Sequence, residues 1–92
     1  MENQYTIKSN RESGDVRYDI CLFPKSSKYP GILMELKWSS NLDSDMLDEL
    51  ANDALHQIDQ KRYDSEMTEL GITNILKLGI AFSGKKVKIR TE

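Results

Sequence analysis

The stretches Val16-Arg17-Tyr18-Asp19-Ile20-Cys21-Leu22-Phe23 and Gly31-Ile32-Leu33-Met34-Glu35-Leu36-Lys37-Trp38 decide how this chain is read. Both alternate as strands do, with successive side chains pointing to opposite faces. In the second, Ile32, Met34, Leu36 and Trp38 share one face, and Leu33, Glu35 and Lys37 share the other. The first face is uniformly apolar, so it is the expected core side. Glu35 and Lys37 are then expected to project away from the core. In the earlier stretch Val16, Tyr18, Ile20 and Leu22 alternate with Arg17, Asp19, Cys21 and Phe23. One strand therefore offers a carboxylate, and the next offers Glu-x-Lys, with the parity to meet in a small polar cluster.

Working outward, Gln4 to Ser9 reads as a short strand, and Ser13-Gly14-Asp15 as a turn signal. Pro24 to Pro30 holds two prolines, two serines and two lysines and reads as a loop. Beyond Trp38, Asp43 or Ser44 is the expected helix N-cap, with Asp45, Asp48 and Glu49 in the first turns, where the helix dipole favours acids. Met46, Leu47, Leu50, Ala51, Ala54, Leu55 and Ile58 recur at helical steps, which predicts an amphipathic helix running to about Arg62. A shorter helix over Asp64 to Leu70 ends at Gly71, a good C-terminal cap. Ile75 to Phe82 and Val87 to Arg90 are two further strands about the turn Ser83-Gly84-Lys85-Lys86, with Val87 and Ile89 on the inner side. The order is βββαββ. A helix between the third and fourth strands makes a crossover, so an α/β (α+β) fold with a mixed sheet and at least one parallel pair is expected.

The chain has 92 residues, which is read as a single domain, residues 1–92, with one thin core. Its 13 basic and 15 acidic residues leave a formal net charge of -2, which argues against tight non-specific nucleic-acid binding by overall charge. Local contact remains open through Lys85, Lys86, Lys88 and Arg90, or through Lys61 and Arg62, although solvated strand and helix faces explain most such residues. No apolar run approaches the roughly 20 residues of a membrane span, and the N-terminus lacks the regions of a signal peptide. The single cysteine, Cys21, has no internal disulfide partner and reads as a buried thiol in a reducing cytoplasm.

Hydrolysis of a phosphodiester needs charge neutralisation on the phosphate, an oriented water and a stabilised leaving oxygen. Magnesium, or manganese in its place, suits the first task and needs only one or two protein carboxylates, because it keeps several waters. Asp19 and Glu35 can supply them, with the backbone carbonyl of Leu36 as a third ligand. Lys37 lies about 6–7 Å along the strand from Glu35, within reach of the same phosphate. Glu-x-Lys by itself reads more readily as an exposed, salt-bridged strand face. The Asp on the preceding strand, at matching parity, is what strengthens the catalytic reading. Gln57, beside the apolar stripe of the helix, can lean toward Glu35 and Lys37, and Lys61 falls four residues later on the same helix face. With one histidine and no cysteine pair there is no zinc site to expect.

Asp19, then Glu35-Leu36-Lys37, then a helix with Gln57-Ile58 and Lys61-Arg62-Tyr63, resembles the PD-(D/E)xK nuclease superfamily. The flanking stretches Asn10 to Asp19 and Leu78 to Lys85 are similar to the nuclease-like domain at the C-terminus of bacterial AAA-ATPase-like proteins. The resemblance covers nearly the whole chain. Each motif is loose, and their order and spacing are the specific part. It implies a restriction-endonuclease-like core, Asp19 and Glu35 as metal ligands, Lys37 as the catalytic lysine and Gln57 as part of a helical glutamine motif. Lys61, Tyr63 and Arg17 are the nucleic-acid contacts expected with it. Two departures stand out. Tyr18 precedes Asp19 where the superfamily often has proline, and the chain lacks the usual first helix before its first strand. The second departure predicts an uncovered sheet face or edge, filled by a homodimer partner or an adjoining domain. A DNA-directed nuclease is therefore the expectation, with RNA as an open substrate. The alternative is an inactive nucleic-acid-binding or oligomerisation module of the same fold.

Overall fold

The protein is described by a computed structural model covering residues 4–11, 17–26, 28–60 and 63–92. The Ser13-Gly14-Asp15 turn and Lys61 lie outside the described residues, as do the side chains of Arg17 and Tyr63. Strands β1 (Tyr5–Arg11), β2 (Arg17–Pro24) and β3 (Gly31–Trp38) come first. Helices α1 (Ser44–Gln60) and α2 (Tyr63–Glu69) follow, then β4 (Ile75–Ser83) and β5 (Lys86–Thr91). The five strands form one sheet in chain order. The pairs β1·β2, β2·β3 and β4·β5 are antiparallel, while β3·β4 is parallel and spanned by the helices. This is the mixed α+β sheet that the residue pattern predicts.

Local chemistry sets the helix boundaries. The Met46 N–H donates to Asp43 Oδ1 at 2.8 Å, so Asp43 is the N-cap of α1, a contact of about 1 kcal/mol. At the end of α2, Gly71 adopts φ 85°. The Gly71 N–H reaches the Thr68 carbonyl at 3.0 Å, and the Ile72 N–H reaches the Met67 carbonyl at 3.0 Å. That paired pattern closes the helix and turns the chain into β4.

The core corrects the expected facing of the sheet. The buried stripe of α1, comprising Leu47, Ala51, Ala54, Leu55 and Ile58, packs on the face that carries Cys21, Phe23, Leu33 and Ala81. Glu35 and Lys37 share that covered face. Ile32, Met34 and Leu36 lie half-buried on the opposite side, and Trp38 is exposed there. Val87 and Ile89, expected on the inner side, are exposed on this same open face, in register with Phe82 and Ile80. The reason is steric. Gly79 and Ala81 on β4 leave room for a helix backbone. A Cβ on Gly79 would run into the Ala51 carbonyl oxygen and lie 2.5 Å from the Leu55 nitrogen. Neither large residue next to Gly79, Leu78 or Ile80, would let α1 come so close. The apolar face therefore loses the helix to the face with the small residues.

Candidate active site

Cross-strand register creates the site. Asp19 on β2 is the direct partner of Glu35 on β3, and Arg17 is the partner of Lys37. Directly opposed residues on antiparallel strands stand about 5 Å apart and share a face. Two carboxylates and an ammonium two residues further along are thus gathered on roughly 30 Å² of sheet. Asp19 is 2 % exposed, Glu35 1 % and Lys37 9 %. Helix α1 packs over Gly79, the β4 neighbour of Glu35, so the cluster lies beside the contact of helix and sheet and out of solvent. Charged groups at such depth persist only when each finds a compensating partner. Asp19, Glu35, Lys37 and Gln57 all engage in such interactions.

Glycine sets the depth of the cluster from the other side. Gly79 on β4 is the register partner of Glu35, and Ala81 is the partner of Lys37. A larger residue at either place would hold α1 away and expose the cluster. Sequence reading passed over Gly79, although glycine inside a strand is itself a signal of close backbone approach. It also missed Ser83, a buried hydroxyl that accepts the Leu42 N–H at 3.0 Å and fastens the loop between β3 and α1.

Gln57 is half-buried on α1, while His56 is exposed. The backbone of Arg17 takes its place in β2 beside β3, and that of Tyr63 opens α2. Away from the cluster, Asp48 of α1 receives two hydrogen bonds from the Arg90 guanidinium of β5, one from Nε at 2.8 Å. The guanidinium's hydrogen bonds hold the Asp48 carboxyl below its usual range, and Asp48 in return raises the pKa of Arg90. Lys77 of β4 donates to Asp59 Oδ1 at 2.6 Å and lies 3.6 Å from Asp64 Oδ2. Those acids, the Asp59 hydrogen bond foremost, raise the pKa of Lys77. Arg90 and Lys77 thus tie the helices to the sheet. A cavity of about 180 Å³ lined by Pro24, Tyr29 and residues Leu70 to Asn74 lies at the far end of β2 and contains none of the cluster.

Two opposed carboxylates offer hard oxygen ligands, and no group of three or more histidine, cysteine or acidic residues could hold a metal among the described residues. By ligand type the pair suits an oxygen-preferring ion such as magnesium better than zinc, although at 2 % and 1 % exposure the carboxylates of Asp19 and Glu35 are closed to solvent.

A family model described as the PD-(D/E)XK nuclease superfamily matches residues 1–92, the full length of the chain. The chain belongs to the PD-(D/E)XK nuclease superfamily. No curated protein matches it. The mixed five-stranded sheet with its crossover helices is consistent with the restriction-endonuclease-like fold of that superfamily. Members are generally nucleases and typically use divalent metal ions. Among the described residues, no helix is long and apolar enough to cross a membrane.

Proposed function

We propose that this chain is a magnesium-dependent nuclease that hydrolyses phosphodiester bonds of DNA. The observation that carries the reading is the register pair Asp19 and Glu35, with Lys37 two residues along the same face. Asp19, Glu35 and the Leu36 carbonyl would hold Mg2+ or Mn2+, which when bound neutralises charge on the phosphate. Lys37 orients the attacking water and meets the charge that grows on the phosphoryl oxygens. Gln57 of α1 would fix the position of that lysine or of the scissile group. Lys61, Tyr63 and Arg17 would contact the nucleic-acid backbone. A cytoplasmic setting, a single nuclease domain over residues 1–92 and an association with an AAA-ATPase-like module belong to the same reading.

The near-complete burial of both carboxylates favours a second reading, an inactive module that keeps the cluster for structure. One assay separates the two. Supercoiled, linear and single-stranded DNA are incubated with the protein and Mg2+ or Mn2+, beside Asp19→Ala and Lys37→Ala. Cleavage that both variants lose supports catalysis. An uncut substrate, with no metal-dependent rise in the melting temperature, supports the module. Cleavage that survives both substitutions would come from another protein.

A further inference from the structure

Two cavities meet where β2 ends. The smaller, about 180 Å³, lies between the β2–β3 loop and the α2–β4 loop, with Ser26, Tyr29 and Asn74 in its wall. The larger, about 470 Å³, opens onto β1 and β2, against Thr6, Lys8 and Phe23. They share Pro24, Lys25, Leu70 and Ile72, so they adjoin along one groove. Thr6 is the register partner of Phe23, and Lys8 is that of Cys21. The larger cavity therefore lies on the sheet face that carries Asp19 and Glu35. Phe23 is four residues beyond Asp19 on the same strand, about 13 Å along it.

The lining selects an anion that carries flat apolar groups. The chain as a whole has 15 acidic residues against 13 basic ones. Among the described residues, however, no carboxylate lines either cavity, while Lys8 and Lys25 do. Glu66 stands at the rim, 3.0 Å from the Lys8 ammonium. Those two side chains are 60 % and 47 % exposed, so water screens the pair and a phosphate replaces Glu66 at little cost. The Lys8 ammonium also sits 4.8 Å from the centre of the Phe23 ring, which holds it over the groove. Apolar and aromatic surface stands beside the lysines. Leu70 is 66 % exposed, and Tyr29 is 38 % exposed with its ring braced by Tyr5 at 6.1 Å between centroids. Cations for a backbone beside an aromatic face for bases are what single-stranded nucleic acid needs. A duplex keeps its base faces stacked inside and would leave Tyr29 and Leu70 unused.

We propose that this groove binds a single-stranded segment of nucleic acid, with Lys8 and Lys25 on its phosphates and Tyr29 stacked on a base. The proposal rests on the nuclease reading for the choice of polymer, and its distance from Asp19 is short enough for one strand to touch both. Binding itself needs no cleavage, so the two readings are tested apart.

The test is fluorescence anisotropy with a labelled oligothymidylate of about 20 nucleotides, longer than common site sizes. Its uridylate counterpart and a DNA duplex of the same length run beside it, all in EDTA so that nothing is cut. The single strands should bind more tightly than the duplex. Tyr29→Leu, folded by circular dichroism, should weaken binding about tenfold, and Tyr29→Phe, which keeps the ring, should restore it. Lys8→Ala and Lys25→Ala should each reduce the slope of log affinity against log salt by about 0.7, the share of one phosphate on a single strand. Lys85→Ala, in the β4–β5 turn at the other end of the sheet, should change neither quantity. A parent that binds no single strand, or binds the duplex more tightly, overturns the proposal. Binding that Tyr29→Leu and both lysine variants leave unaltered also overturns it, and cleavage by that same parent would leave the nuclease reading standing. Binding that these variants weaken, with no cleavage once Mg2+ or Mn2+ is added, would support the groove and remove the nuclease.

Discussion

Glu35 and Asp19 illustrate how little at the residue scale is settled by residue type. Each is an acid on a strand, where exposure would be the default. Register makes them opposed partners, and α1 takes the surrounding surface out of water. Glu35→Gln keeps the volume of the side chain and removes one of two neighbouring charges. Cleavage should fall by at least about 100-fold, while the melting temperature should move by only a few degrees. Single-turnover cleavage and a thermal scan of the same sample check both halves. A variant that unfolds would mark Glu35 as chiefly structural, whereas a folded and fully active one would remove it from the chemistry. Metal addition supplies a second check. If Asp19 and Glu35 hold the ion, Mg2+ at a hundred times its dissociation constant should stabilise the parent by about 2.7 kcal/mol. Asp19→Ala should lose that gain.

At the scale of elements, helix α1 is held to the sheet by shape first and by charge second. Burying Leu47, Leu55 or Ile58 contributes on the order of 2 kcal/mol each. The close approach over Gly79 is what makes that burial geometrically available. Gly79→Ala should therefore cost about 1–3 kcal/mol through overpacking, read as a lower urea midpoint at unchanged slope. Activity should fall further than stability, because the same shift displaces Gln57 and uncovers Glu35. Gly71→Ala should cost about 1 kcal/mol for a different reason, since its positive φ resists a side chain. Activity per folded molecule should then stay unchanged.

Charge fastens the helices at two further places, and these have opposite pH signatures. The Lys77 pKa is raised in the fold above its ordinary value of about 10.4. Its contribution is thus complete below that value and disappears as pH climbs through the folded pKa. The Asp48 pKa is lowered by Arg90. That contribution is present above the ordinary aspartate value of about 3.9 and is lost as pH falls through the lower folded value. Chemical denaturation across pH should show the alkaline loss reduced in Lys77→Met and the acid loss reduced in Asp48→Asn. Unaltered profiles in both variants would show that these ion pairs contribute nothing measurable.

For the whole molecule, the composition of the two sheet faces matters more than net charge. One face is mixed, and it receives both helices together with the buried charges. The other is apolar and stays open. Apolar side chains left in water on that scale forgo the stabilisation that burial would bring.

The sequence by itself determined the kinds of element and their order. Alternation over Gly31 to Trp38 and a helical stripe over Leu47 to Ile58 are local patterns, and a strand or helix forms wherever such a pattern runs long enough. The grouping of Asp19 with Glu35 and Lys37 was legible too, because strand parity fixes which residues share a face. Tertiary structure alone decided which face became the core. Ile32, Met34, Leu36 and Trp38 looked like the inner side by hydrophobicity, yet α1 settled over Gly79 and Ala81. Hydrophobic burial rewards area only where two surfaces can touch. That contact depends on the shape of a neighbour distant in sequence, which no single strand can reveal.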